Sequence, residues 1–226
     1  MQKFTLPVIL FVLLVCCGAV FAAQEPLETI TYGISPIGHS EYRDMGIVEF
    51  LGRKVNLVIF KTRAGGFEDT EKIYSDPATG MPVEVERYVT KWFGKEYLVE
   101  EYDSRKNTLS ITKFQHGKKT GGYFFQGKGP IHNAVLLPFC LRKVPGLMVG
   151  WSGKIRLPEE FKVRIVSMEE ITVPAGKFKA YHITSIPQKF EIWISNDNLR
   201  LPLKIRGLGG LSYTLMMQKR TIKQKK

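Results

Sequence analysis

Residues 82–92, PVEVERYVTKW, followed by Phe93-Gly94 and residues 95–102, KEYLVEEY, decide the fold. Val83 and Val85 alternate with Glu84 and Glu86, the two-residue period of a strand with one buried and one solvated face. A second run of the same style begins directly after Phe93-Gly94, so the segment reads as an antiparallel hairpin.

The style continues in both directions. Upstream, Thr29–Ser35 opens the series, and Asp44–Phe50 and Lys54–Thr62 flank Leu51-Gly52-Arg53, which reads as a hairpin turn. Val55, Leu57 and Ile59 alternate while Val58 and Phe60 fill the other face, so both faces are expected to be partly covered there. Downstream come Asn107–Phe114 and Gly122–Gln126. After an interruption, Leu147–Leu157, Phe161–Ser167, Lys179–Ile186, Lys189–Ser195, Leu201–Arg206 and Leu211–Thr221 follow.

The interruption is Ile131–Val144, IHNAVLLPFCLRKV. It is densely apolar, Asn133 is placed to cap a helix, and Arg142 and Lys143 suit the helix's far end. Pro138 limits or kinks it. About ten to twelve short antiparallel strands with one short helix predict a mainly β domain, a single curved sheet or incomplete barrel. A two-sheet sandwich is the alternative.

The ends of the chain carry different information. Lys3 is the only charge before Glu25, and residues 4–23 form one apolar stretch. That is the pattern of a secretory signal peptide, with cleavage expected after Ala22 or, alternatively, Ala23. An uncleaved membrane anchor is a second reading of those twenty residues. Leu14-Val15-Cys16-Cys17 also resembles a lipidation box, which would make Cys17 the acylated residue of a lipoprotein. The expected organisation is a leader at 1–22, one β-rich domain at 23–218 and a basic tail at 219–226, with Cys140 the one cysteine left after cleavage. A single cysteine forms no internal disulfide, and its apolar surroundings suit a buried thiol.

Three stretches in the second half carry a family resemblance. They are Val173-Pro174-Ala175-Gly176-Lys177-Phe178-Lys179-Ala180-Tyr181, then Ile192-Trp193-Ile194-Ser195 with Asn196-Asp197 and Leu201-Pro202-Leu203-Lys204-Ile205, and finally Gly209-Gly210-Leu211-Ser212-Tyr213-Thr214-Leu215. Their order and spacing resemble the bacterial exported family catalogued as domain of unknown function 3108, and Ile30–Ser35 before Pro36-Ile37-Gly38 fits its first strand. The resemblance implies a curved-sheet exported domain and no catalytic residue.

The residues themselves offer little chemistry. His39, His116, His132 and His182 lack metal-ligand spacing, and nucleotide and hydrolase fingerprints are missing. Glu84 with Glu86, and Glu100-Glu101 with Asp103, are the carboxylate pairs a hydrolase would need. A solvated sheet face accounts for them more simply. No metal or cofactor is expected.

Lys and Arg number 33 against 21 Asp and Glu, for a net +12 that falls to +11 when Lys3 leaves with the leader. Nucleic acid is not an expected partner of an exported chain. Anionic lipid head groups and wall polymers are.

The reading is therefore an exported, periplasmic, non-enzymatic protein that binds an apolar or anionic envelope ligand such as lipid. Phe124, Trp151, Tyr181 and Trp193 are the candidate lining of an apolar cleft. An assembly factor that binds another envelope protein and a hydrolase acting on a wall polymer are the alternatives. Intact-mass analysis of the protein isolated from its envelope checks the address. The expected chain begins at Ala23, whereas an acylated chain beginning at Cys17 would establish the lipoprotein reading.

Overall fold

The computed structural model describes residues 25–208 and 213–223. In chain order the strands are β1 (Glu28–Ser35), β2 (His39–Phe50), β3 (Arg53–Ala64), β4 (Phe67–Ser75), β5 (Pro82–Lys91), β6 (Gly94–Asp103), β7 (Thr108–Gln115) and β8 (Lys118–Gln126). One short helix, α1 (Leu137–Leu141), precedes β9 (Ser152–Leu157), β10 (Glu159–Val173), β11 (Gly176–Ile186), β12 (Glu191–Ser195), β13 (Pro202–Arg206) and β14 (Thr214–Ile222). All fourteen strands among the described residues belong to one antiparallel sheet, in the order β8-β7-β6-β5-β4-β3-β2-β1-β14-β13-β12-β11-β10-β9. This is the single curved sheet that the alternation predicts, and the sandwich does not form.

The first and last strands pair from Glu28↔Ile222 to Ser35↔Thr214, which joins two meanders into one sheet. The remaining edges, β8 and β9, do not pair with each other, so the barrel is unclosed. Bulges between Asp44/Gly46, Ile165/Ser167 and Trp193/Ile194 bend the sheet. At the first, Gly46 takes φ +77° and donates its N–H to Asp44 Oδ1 at 2.9 Å. Leu51 and Gly52, at φ +50° and +73°, form the β2–β3 turn with the positive-φ pair that such tight hairpins require.

The structure differs from the sequence reading in two places. β4 carries polar residues at alternate positions, so the hydrophobic period that marks a strand is lost there, although it is fully paired on both sides. The helix is shorter than 131–144, because Pro138 sits in its first turn and the chain before it is a turn. Asn133 still serves that turn, its Oδ1 accepting the Leu136 N–H at 3.1 Å. Lys219 and Arg220 are paired residues of β14, opposite Thr31 and Ile30, within the last strand that the sequence placed at Leu211–Thr221. The proposed leader, with Cys16, Cys17, Ala22 and Ala23, lies outside the described residues, as do Gly209–Ser212.

α1 packs on the inner face of the sheet. Leu136, Leu137, Phe139 and Leu141 are buried in one cluster with Ile30, Tyr32, Val58 and Ile192, and the Phe139 ring stacks on Tyr42 with centroids 3.6 Å apart. Just past the helix, Arg142 places Nη1 2.8 Å and Nη2 3.2 Å from the two carboxylate oxygens of Glu28. Arg220 on β14 donates Nε to the same Glu28 at 2.5 Å.

Burial alone would raise the Glu28 pKa. The hydrogen bonds and charges of both guanidiniums outweigh it and hold the carboxyl below its ordinary value. A depressed carboxyl stabilises the fold above its unfolded pKa, and that contribution is lost as pH falls through the folded one. Glu28→Gln is therefore expected to cost about 2–3 kcal/mol at pH 7, since it leaves two mostly buried cations without their anion. Urea denaturation should show the gap from wild type closing as pH falls through the lowered folded pKa of Glu28, where protonation gives wild type the same defect.

Candidate functional site

A cavity of about 210 Å³ lies between the inner face of the sheet and the segment leading into α1. Tyr32 of β1, Phe60 of β3, Leu109 and Ile111 of β7, Ile205 of β13 and Leu215 of β14 form much of its apolar wall. Ala134, Val135, Pro138 and Phe139 close the opposite side. Apolar walls with a few converging polar groups are the usual make-up of a small-molecule site.

Five of the polar groups come from three neighbouring strands: Asp69 and Glu71 of β4, Arg87 of β5, and Glu100 and Tyr102 of β6. Their register explains why they meet. Glu71 stands opposite Arg87, Glu100 opposite Ile111, and Tyr102 opposite Leu109, and directly opposed residues point to the same face of a sheet. Arg87 grips Asp69 through Nε at 2.9 Å and Nη2 at 2.5 Å. Its Nε also lies 3.7 Å from Glu71 Oε1, within ion-pair but not hydrogen-bond range. The Tyr102 hydroxyl donates to Glu100 Oε2 at 2.6 Å.

One cation thus faces three carboxyls. Burial, aided by the charges of Asp69 and Glu100 and opposed by Arg87, pushes Glu71 up to about 8. Burial also raises Glu100, against the Tyr102 hydrogen bond and Arg87, and carries Tyr213 up to about 12. Arg87 is engaged by Asp69, while Glu71 is protonated near neutrality. A protonated carboxyl is both a donor and an acceptor, so the cavity's polar side suits an uncharged polar group far better than an anion. His132 lies at the margin with its Nδ1 3.3 Å from the Arg156 backbone nitrogen, and burial lowers its pKa. Among the described residues no group of three or more His, Cys, Asp and Glu is arranged to hold a metal ion.

None of the four residues that the sequence suggested for a cleft lines this cavity. Phe124 stands opposite Ser110, on the face turned away from Leu109 and Ile111, and is 66% exposed. Trp193 stands opposite Lys204 rather than Ile205, so it lies on the other side of its strand from the cavity wall. There its ring stacks on His182 at 4.4 Å beneath the Lys204 ammonium at 4.5 Å. Tyr181 and Trp151 are half-buried and pack against the core without reaching the cavity. Alternation and register separate the four.

The suggested carboxylate pairs divide in the same way. Glu84 faces Glu101 across β5 and β6, and Glu86 is held by Lys72 at 3.1 Å. Asp103 accepts the Arg105 and Lys106 N–H groups in a turn. Glu100, their sequence neighbour, points the other way, into the cavity. The polar wall had one sequence signal: Arg87 falls two residues from Val85 and two from Val89, a charge in step with buried valines. Cys140 is half-buried, and burial raises its thiol pKa.

No family model matches the chain, and no curated protein matches it. Among solved structures the chain is similar to a β-barrel-like protein of domain of unknown function DUF1849 from Brucella abortus, at 8% identity and a TM-score of 0.50. The match covers 89% of this chain and 99% of that one. At that identity the likeness extends to the fold alone.

The Glu71 environment sets a pH dependence. Its pKa is raised on folding, so the unfolded chain loses this proton first as pH rises, and stability falls between about pH 4.5 and 8. Glu71→Gln removes that penalty. It is expected to match wild type near pH 4 and to exceed it by about 1–3 kcal/mol at pH 8, as read by thermal or urea denaturation across that range.

Proposed function

We propose that the protein is a non-enzymatic binding domain that holds a small apolar molecule, or an acyl segment of a lipid, inside its unclosed barrel. The observation that carries this reading is the cavity beneath α1, with aliphatic and aromatic walls and one polar side built from Glu71, Glu100, Tyr102 and the Asp69–Arg87 pair. Its volume of about 210 Å³ is below the ~300–1,000 Å³ of clefts that bury a whole drug-sized ligand. A short chain or ring with an uncharged polar end matches it. An anionic end does not, because it would meet three carboxyls and a guanidinium already neutralised by Asp69.

Export to the periplasm belongs to the same proposal and is supported by the charge-poor apolar run at residues 4–23, with attachment through Cys17 as its alternative. So does membership of the exported family catalogued as domain of unknown function 3108, supported by the spacing of the Val173–Tyr181, Ile192–Ser195 and Leu201–Ile205 stretches.

The test fills the cavity. Native mass spectrometry of protein purified without detergent should reveal a bound apolar molecule, and a fluorescent acyl probe should bind with an affinity that Ile111→Phe and Ala134→Phe each weaken by tenfold or more, at unchanged melting temperature. A wild-type protein that takes up neither lipid nor probe, or filled variants that bind as well as wild type, would overturn the reading.

A further inference from the structure

The most exposed aromatic residues sit together at the β5–β6 turn, where Trp92 is 78% and Phe93 102% exposed. Such exposure at a hairpin tip is costly for rings of this size unless something covers them. Trp92 is not loose. Its Nε1 donates to the Gly65 carbonyl at 2.9 Å, across to the β3–β4 turn, and its ring lies against Gly66 so closely that an added Cβ would meet it at 2.7 Å. The ring is thus held at the rim while its outer face stays open.

In a meander every second turn emerges on the same edge. The β1–β2, β3–β4, β5–β6 and β7–β8 turns therefore share one rim, at intervals of about 10 Å by strand spacing. Ile37, 75% exposed, stands at the first of them. Lys95 follows the β5–β6 turn, and Lys118 and Lys119 follow the β7–β8 turn. The acidic residues beside the rim are already engaged, Glu68 by Lys61 at 2.7 Å and Glu96 by Lys91 at 2.9 Å.

We infer that this rim docks on an anionic lipid bilayer, with Trp92 and Phe93 entering the head-group region and Lys95, Lys118 and Lys119 facing lipid phosphates. The charge complementarity decides the occupant. A ring pair flanked by lysines that form no ion pair among the described residues matches the interface of a negatively charged membrane, where Trp is favoured and each nearby Lys adds attraction. A second copy of the chain would bring the same cations against themselves. Two signals, apolar insertion and basic charge, are what reversible anchoring needs. The docking does not depend on the cavity reading, since no residue named in it lines the cavity.

The test uses the purified protein and extruded vesicles. Co-sedimentation is expected with vesicles rich in phosphatidylglycerol and weak with pure phosphatidylcholine, falling as salt rises. Trp92→Ala with Phe93→Ala should reduce partitioning at least tenfold. Lys95, Lys118 and Lys119 changed together to Gln should weaken it several-fold and flatten its salt dependence. Lipids brominated on the acyl chain should quench tryptophan fluorescence in wild type. In Trp92→Phe the quenching should disappear while binding persists, because Trp193 is buried and Trp151 is half-buried away from this rim. No vesicle binding, equal binding by the double alanine variant, or undiminished quenching in Trp92→Phe would each overturn the proposal. So would association of the protein with itself that the double alanine variant abolishes while vesicles remain unbound. Acyl-probe binding measured on the same rim variants should stay at the wild-type value, which separates failure here from failure of the cavity reading.

Discussion

The carboxylate of Glu28 holds together three parts of the chain that are far apart in sequence. It stands at the start of β1, it receives Arg220 from β14 across the ladder that joins the two meanders, and it receives Arg142 from the end of α1. A sheet with two unpaired edges has no hydrogen-bonded closure to fix its curvature. What fixes it is the body packed inside. If α1 left the inner face, Phe139 would leave Tyr42, and the wall that Ala134, Val135 and Pro138 give the cavity would go with it. The ion pair is mostly buried, and such pairs contribute more through geometric specificity than through net energy. Here the geometry it specifies is where the helix sits on the sheet.

The cavity's polar side runs against the rule that strands bury their apolar face. Asp69, Glu71, Arg87 and Glu100 all point inward, and Arg87 hydrogen-bonds Asp69. Burial and the neighbouring negative charge raise the pKa of both Glu71 and Glu100, and Glu71 is held protonated near neutrality. A core optimised for stability alone would carry valine or isoleucine at those positions, as β4 does at Ile73 and β5 at Val85. Such breaches of local patterning, concentrated around one void, cost stability and support the proposed binding role. The rim carries a second departure from the same rule, exposed aromatics held in place by a backbone carbonyl.

Much of the architecture was readable without coordinates. The hairpin of residues 82–102, the Leu51-Gly52 turn, the helical interruption and the all-antiparallel style follow from two-residue alternation and turn chemistry, which act over a few neighbouring residues. β4 was not readable, because Asp69 and Glu71 take the two inward positions between Phe67 and Ile73, so the strand facing the cavity lacks the hydrophobic period that would announce it. Phe124, Trp151, Tyr181 and Trp193 stand outside this cavity for a related reason. A large ring on a strand has two faces to choose from, and register across neighbouring strands makes the choice. For Trp193 that register sets it opposite Lys204 and stacks it on His182, on the side away from the cavity.

The sequence by itself determined that this chain makes short antiparallel strands, where most of them turn, and that one apolar segment departs from the sheet. These are properties of local backbone preference and of residues two apart. Only the tertiary structure decided that β1 pairs with β14, that α1 lies inside the curve, and that carboxyls from β4 and β6 meet a single arginine from β5. Those outcomes depend on residues far apart in sequence, 192 positions for Glu28 and Arg220. Their partners are selected by sheet curvature and burial, which no local stretch of sequence encodes.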